Sequence, residues 1–249
     1  MHGTVEFPPF DFQQRTRLIY GPGTVQTHLV QSVRELNAAT ALLVTDAGLR
    51  QAGHATQAER LLRDAGLQCY VYDDVHENPT SDDVEACTRF ARGRGIDVLI
   101  GLGGGSSMDC AKGINFLLTN GGQMQDYWGV GKARLPMLPM IAVPTTAGTG
   151  SEAQSYTTIT DSETGARMAC GDRKAVFQVA VLDPKLTVSQ PASLAASSGY
   201  DALSHALETL VTTRQTALSD CFSRSAWRLI NSGLEGMIAN PADLGARGE

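Results

Sequence analysis

One stretch limits the possible folds more than any other: Gly101-Leu102-Gly103-Gly104-Gly105-Ser106-Ser107-Met108-Asp109. It follows Asp97-Val98-Leu99-Ile100, which reads as the end of a buried strand, and it leads into Met108-Asp109-Cys110-Ala111-Lys112, where apolar residues recur at helical spacing. Strand, glycine turn and helix start together form a site for an anion. Glycine lets the backbone approach a phosphate, and the free N–H groups and positive dipole end of the helix favour its charge. The turn is not the usual dinucleotide fingerprint, because Ser106 occupies the third glycine place and no acidic residue ends a strand about 20 residues later. The alternative acid is Asp46, upstream at another strand end, where it could hydrogen-bond a ribose diol, although aspartate at a strand end is also a common turn former.

The flanking pattern alternates strands and helices. Pro8-Pro9 and Gly21-Pro22-Gly23 bracket a strand at 16–20, expected as a covering hairpin or an edge. A buried strand is expected at 41–45. The helix after it carries Ala55, Ala58, Leu61, Leu62 and Ala65 on one face, and a strand at 69–72 follows. Thr80 and Asp83 form a capping-box pair ahead of Val84, Cys87 and Ala91. The helix from the glycine turn ends near Asn120-Gly121-Gly122, and 123–134 reads as a polar and aromatic loop. An apolar run at 137–143 ends in a second loop rich in hydroxyls and glycine, Pro144-Thr145-Thr146-Ala147-Gly148-Thr149-Gly150-Ser151-Glu152, whose donors suit phosphate or ribose. A hairpin at 156–170 and a last strand at 177–182 complete the alternation, which predicts a parallel sheet covered on both faces with ligands at the carboxyl ends of its strands. Beyond Pro191 only helical patterns remain, at 193–211 and 216–239, so a domain boundary is expected near residue 190.

The 249 residues, 42% apolar, are ample for a real core. Twenty basic residues against 26 acidic give a net charge of −6 with no basic cluster, which argues against nucleic acid and membrane surfaces as partners. No apolar run approaches the roughly 18 residues of a membrane span, and a cytoplasmic protein is expected. The five cysteines are widely spaced in apolar context and read as reduced core thiols.

A second constellation is Asp201-Ala202-Leu203-Ser204-His205, where carboxylate and imidazole emerge one turn apart on one helix face. That spacing suits two metal ligands, but an Asp/His pair is also a routine helix-surface contact, and a protein metal site usually has at least three ligands.

Taken in order, the blocks 103–112, 144–152 and 201–208 resemble the iron-containing (group III) alcohol dehydrogenases, and the likeness runs from near Tyr20 to the last residue. The resemblance implies an α/β fold of the dehydroquinate synthase-like kind. Residues 1–190 would form a Rossmann-like parallel-sheet domain that binds the dinucleotide, and 191–249 the start of an all-α metal-binding domain, truncated here. It implies NAD(P)-dependent interconversion of an alcohol with an aldehyde or ketone, with Fe2+ or Zn2+ polarising the substrate oxygen. Asp46 matches the position that holds the adenosine ribose and favours NAD over NADP, and Asn78 matches another cofactor contact. Gly104, Gly105, Ser106 and Ser107 match the pyrophosphate turn; Thr145 and Thr146 match contacts from the second loop; Arg167 falls where many members carry lysine. Asp201 and His205 match the first two of four metal ligands, and the chain stops before the two further histidines, so a fragment of a longer product is expected. The implied partners are a small alcohol or aldehyde and further copies of the chain, as a homo-oligomer. Two other outcomes are a nucleotide-binding module without catalysis, and a metal-independent relative such as a maleylacetate reductase, against which the retention of Asp201 and His205 argues.

Overall fold

The computed structural model describes residues 7–248. In chain order its strands are β1 (Arg17–Tyr20), β2 (Thr40–Val44), β3 (Gln68–Tyr72), β4 (Val98–Gly103), β5 (Gly129–Val130), β6 (Met140–Pro144), β7 (Tyr156–Thr160), β8 (Arg167–Gly171) and β9 (Val179–Leu182). The helices are α1 (Thr24–Glu35), α2 (Ala47–Gln51), α3 (His54–Asp64), α4 (Ser81–Ala91), α5 (Gly105–Asn120), α6 (Ala192–Val211), α7 (Ala217–Ala239) and α8 (Leu244–Gly248).

Among the described residues six strands form a wholly parallel sheet in the order β1-β9-β6-β4-β2-β3. Successive residues of β4 serve opposite faces. Leu99 packs with Val84, Cys87 and Ile114 under α4 and α5, whereas Ile100 and Leu102 pack with Leu29, Ala55, Ala58 and Leu62 under α1 and α3. Both faces are therefore covered, and every residue of β4 is buried, as a central strand of a parallel sheet requires. From β2 the chain runs outward to β3, then returns to the other side of β2 to make β4 and continues through β6 to β9. The order reverses between β2 and β4, so a crevice opens at their carboxyl ends. Asp46 and the glycine turn both lie there.

Several elements match the pattern in the chain and others correct it. The strand at 16–20 is an edge strand, paired in parallel with β9, and makes no hairpin. The hairpin β7–β8 forms as expected, with Thr160 opposite Arg167. The stretch 123–134 is not simply a loop. Met124 and Tyr127 are buried in a 3-10 turn closed by a Gln123–Asp126 capping box, the Tyr127 ring centroid lies 4.9 Å from that of Phe116, and β5 joins β8. Of the five cysteines, Cys69, Cys87, Cys110 and Cys170 are buried free thiols, while Cys221 is exposed. The first six residues, part of the turn-rich reading before β1, lie outside the described residues.

Candidate functional site

The glycine turn is built by three glycines doing different things. Gly103 closes β4 at φ 150°, in the region that favours glycine, and a Cβ there would overlap the Ser107 side chain. Gly104 precedes α5 with no side-chain cap, so the first N–H groups of the helix are not taken by a capping residue. Gly105 is the first helical residue, and a Cβ there would come within 2.9 Å of Thr149 Cγ2. The second loop therefore lies directly on the turn. It is fastened there by the Thr145 N–H donating to the Gly103 carbonyl at 2.9 Å. The Thr145 carbonyl in turn accepts from Gln190 Nε2 at 2.6 Å. A Cβ on Gly104 would meet Thr146 Oγ1 at 3.4 Å, and that buried hydroxyl has no hydrogen-bond partner.

The other sequence candidates gather around this cradle. Ser107 is buried within α5, and Ser106 Oγ accepts from the Asn78 N–H at 3.1 Å. Asn78 itself has φ 53°, a left-handed conformation that asparagine tolerates. Asp46 ends β2 and caps α2, its Oδ1 accepting from the Leu49 N–H at 2.9 Å. Register pairs Val44 with Gly101, which brings Asp46 alongside the glycine turn across the crevice. Arg167 opens β8, opposite Thr160 in the β7–β8 hairpin.

Asp201 and His205 lie one turn apart on α6, with Nε2 3.8 Å from Oδ1 and each side chain 46% exposed. His205 Nδ1 is 3.1 Å from the Gly148 carbonyl oxygen. A carbonyl only accepts, so this contact assigns the proton of the neutral ring to Nδ1 and leaves Nε2 bare beside the carboxylate. A bare imidazole nitrogen and a carboxylate are donors of the right chemistry for a divalent metal. Among the described residues no cluster of three or more such side chains occurs.

One functional group escaped the sequence reasoning although it lies in the motif. Lys112 is fully buried and donates to the carbonyls of Ser151 and Tyr156, each at 2.7 Å. Asp109, 4.0 Å from that ammonium, accepts from Ser151 Oγ at 2.6 Å and from the Thr158 N–H at 3.0 Å. Burial raises the Asp109 carboxyl and lowers the Lys112 ammonium to about 8, opposed in both cases by their mutual attraction. Glu152 is also raised by burial. This network binds α5 to the end of the second loop. A lysine three residues after an aspartate inside an apolar helix was the signal available in the sequence.

Two clefts flank these elements. One of about 260 Å³ runs from the second loop into the apolar faces of α6 and α7, past Gly148, Glu152, Gly199, Ala202 and Leu234. A larger one of about 480 Å³ lies at the far end of α5, near Arg89, Arg92 and Asp126, remote from the cradle.

Residues 15–184 match the family described as iron-containing alcohol dehydrogenase, and residues 195–249 match the C-terminal part of the Fe-containing alcohol dehydrogenase family. The chain is 38% identical over 229 residues to the NAD-dependent methanol dehydrogenase of Bacillus methanolicus, covering 92% of this chain and 60% of that protein. The crystal structure of a 1,3-propanediol oxidoreductase superposes with a TM-score of 0.93 at 32% identity, over 97% of this chain and 63% of that one. Sulfoacetaldehyde reductase from Bifidobacterium kashiwanohense, solved in complex with NAD+, superposes at 0.87 with 28% identity, over 97% and 64%. The chain thus spans about three fifths of the length of these relatives.

Proposed function

Since the chain belongs to the iron-containing alcohol dehydrogenase family, we propose that the protein interconverts an alcohol with an aldehyde or ketone, with NAD as hydride carrier. The observation that carries this reading is the double-loop cradle, in which the loop after β6 closes on the glycine turn and leaves the Thr146 hydroxyl without a partner. Its glycines let the turn and the second loop come together without side chains between them, and bare glycine backbone is what close approach of a pyrophosphate requires.

In this reading the uncapped first turn of α5 presents its N–H groups to the pyrophosphate, and Thr145 and Thr146 border the cofactor from the opposite side. Asn78 adds a contact beside Ser106. Asp46 commits Oδ1 to the α2 cap, and its second oxygen accepts from a ribose hydroxyl. The same carboxylate repels a 2′-phosphate and so selects NAD over NADP. NAD bound there supplies the hydride acceptor. Asp201 and His205 would hold a divalent metal, Fe2+ or Zn2+, which would supply Lewis-acid polarisation of the substrate oxygen.

Incubating the protein with NAD, either metal and a panel of short alcohols and diols should generate NADH absorbance, and no turnover with any of them would overturn the proposal. Asp46→Asn keeps a capping oxygen and removes the charge. NADPH affinity relative to NADH should then rise about tenfold, or 1.4 kcal/mol, in fluorescence titrations, with Tm unchanged. A nucleotide-binding module without catalysis is the second reading, favoured by the absence of a third metal donor among the described residues. NADH binding at full stoichiometry without bound metal or turnover would select it.

A further inference from the structure

One loop touches both halves of this arrangement. On its inner side Thr146 and Thr149 lie against Gly104 and Gly105. On its outer side Gly148 lies so close to α6 that a Cβ there would overlap the Ser198 carbonyl oxygen, and its own carbonyl faces His205 Nδ1 at 3.1 Å. Gln190 anchors the loop's base through the Thr145 carbonyl, and Lys112 anchors its far end through the Ser151 carbonyl. The segment from Thr145 to Ser151 is therefore tied at both ends, with its middle spanning the gap between the glycine turn and α6.

We infer that the Gly148 carbonyl is a positioning group for His205, fixing the ring as the Nδ1–H tautomer and aiming bare Nε2 at Asp201, so that occupancy of the dinucleotide cradle is transmitted through the loop to the Asp201–His205 pair. The tautomer follows from this chain's own hydrogen bond, while the transmission rests on the cofactor reading above. A histidine free in water favours the proton on Nε2, so the assignment opposes the default and is open to measurement. A hydrogen bond on the distal nitrogen is also how protein imidazoles are oriented toward a ligand. Because the loop contacts both the cradle and the imidazole, any movement on cofactor binding changes the Nδ1–H···O geometry, and the resulting coupling is reciprocal.

The test is two-bond nitrogen–proton correlation on the whole chain labelled with 15N-histidine, at a pH where the rings are neutral, with His205→Gln assigning the signal. The expected spectrum has a protonated Nδ1 and an unprotonated Nε2 at His205, and added NAD shifts both nitrogens. In Gly148→Ala the loop must leave α6, so the Nδ1–H form should fall from dominant to minor and its response to NAD should vanish. If that variant fails to fold, Gln190→Leu releases the Thr145 carbonyl without steric conflict and should weaken the same response. A dominant Nε2–H form in the unsubstituted protein would overturn the tautomer assignment. Unmoved His205 signals in protein that binds NADH by fluorescence would overturn the transmission. Absence of NADH binding would overturn the cofactor reading and the transmission together, with the tautomer decided separately by the spectrum without cofactor.

Discussion

Lys112 carries an amine from α5 into the buried interior. In the chain it is one more polar residue of a helix, whereas in the fold its ammonium is fully buried under the Phe177 ring, 5.3 Å from the centroid, and joins two carbonyls. Its proton is held less firmly than in water, at about 8 against an ordinary 10.5, because burial outweighs the attraction of Asp109 and Glu152. Between those values the unfolded chain keeps the proton and the folded chain does not, so unfolding takes up a proton at Lys112, and this group's contribution to stability rises with pH across that window. Burial raises the thiols of Cys69, Cys87, Cys110 and Cys170, which pull the other way in the natural protein and in Lys112→Met alike. Thermal melts from pH 8 to 10.5 should therefore show stability falling more steeply with pH in Lys112→Met than in the natural protein, and equal slopes would show that Lys112 does not titrate there. Lys112→Met should also cost roughly 1–3 kcal/mol at pH 7, because two buried carbonyls lose their donor. The partners Ser151 and Tyr156 are 39 and 44 residues away in the chain, so the Asp109–Lys112 spacing signals the pair alone and not the partners that complete the network.

Among the elements, legibility follows how local the stabilising contacts are. The start of α4 was readable because its cap is built from neighbours, with Thr80 and Asp83 bonding one another's backbone N–H groups. Helix α1 was not readable at its start. Gly23 offers no capping side chain, and the job falls to Asp183, whose carboxylate accepts from the N–H of Gly23 at 2.9 Å and of Val25 at 3.3 Å. The cradle is intermediate: each loop was visible as a motif, but their contact was not. That contact makes Gly105 a sensitive point. Gly105→Val should push Thr149 and its loop off the turn and weaken NADH binding at least about tenfold, or 1.4 kcal/mol, in fluorescence titration, while the far-UV circular dichroism of the sheet and helices is retained. Unchanged affinity would mean that the loop–turn contact does not shape the cofactor site.

For the whole molecule, the open question is how the helices from Ala192 onward are joined to the sheet. The sequence suggests a boundary near residue 190, and we propose a tied connector there in place of a free linker. His54 Nε2 lies 2.7 Å from Ser189 Oγ, Gln190 reaches the Thr145 carbonyl, and Arg247 Nη1 donates to the Thr187 carbonyl at 2.7 Å. Tyr20 Oη also donates to the Gly248 carbonyl at 2.7 Å, so β1 at the sheet edge touches α8. Within the connector, Leu186 is buried directly after the exposed Lys185, in a 3-10 turn that starts with Pro184. The turn between α6 and α7 contrasts with it, since residues 211–214 are all exposed and Arg214 offers an open trypsin site. Protease cleavage follows the population of locally open backbone. Limited trypsin digestion should therefore cut after Arg214 well before Lys185, leaving α6 and its Asp201–His205 pair attached to the cradle, and mass spectrometry of the early fragments identifies the bond. Early cleavage at Lys185 would reveal a flexible linker, and the Asp201–His205 pair and the glycine-turn cradle would then move as separate bodies.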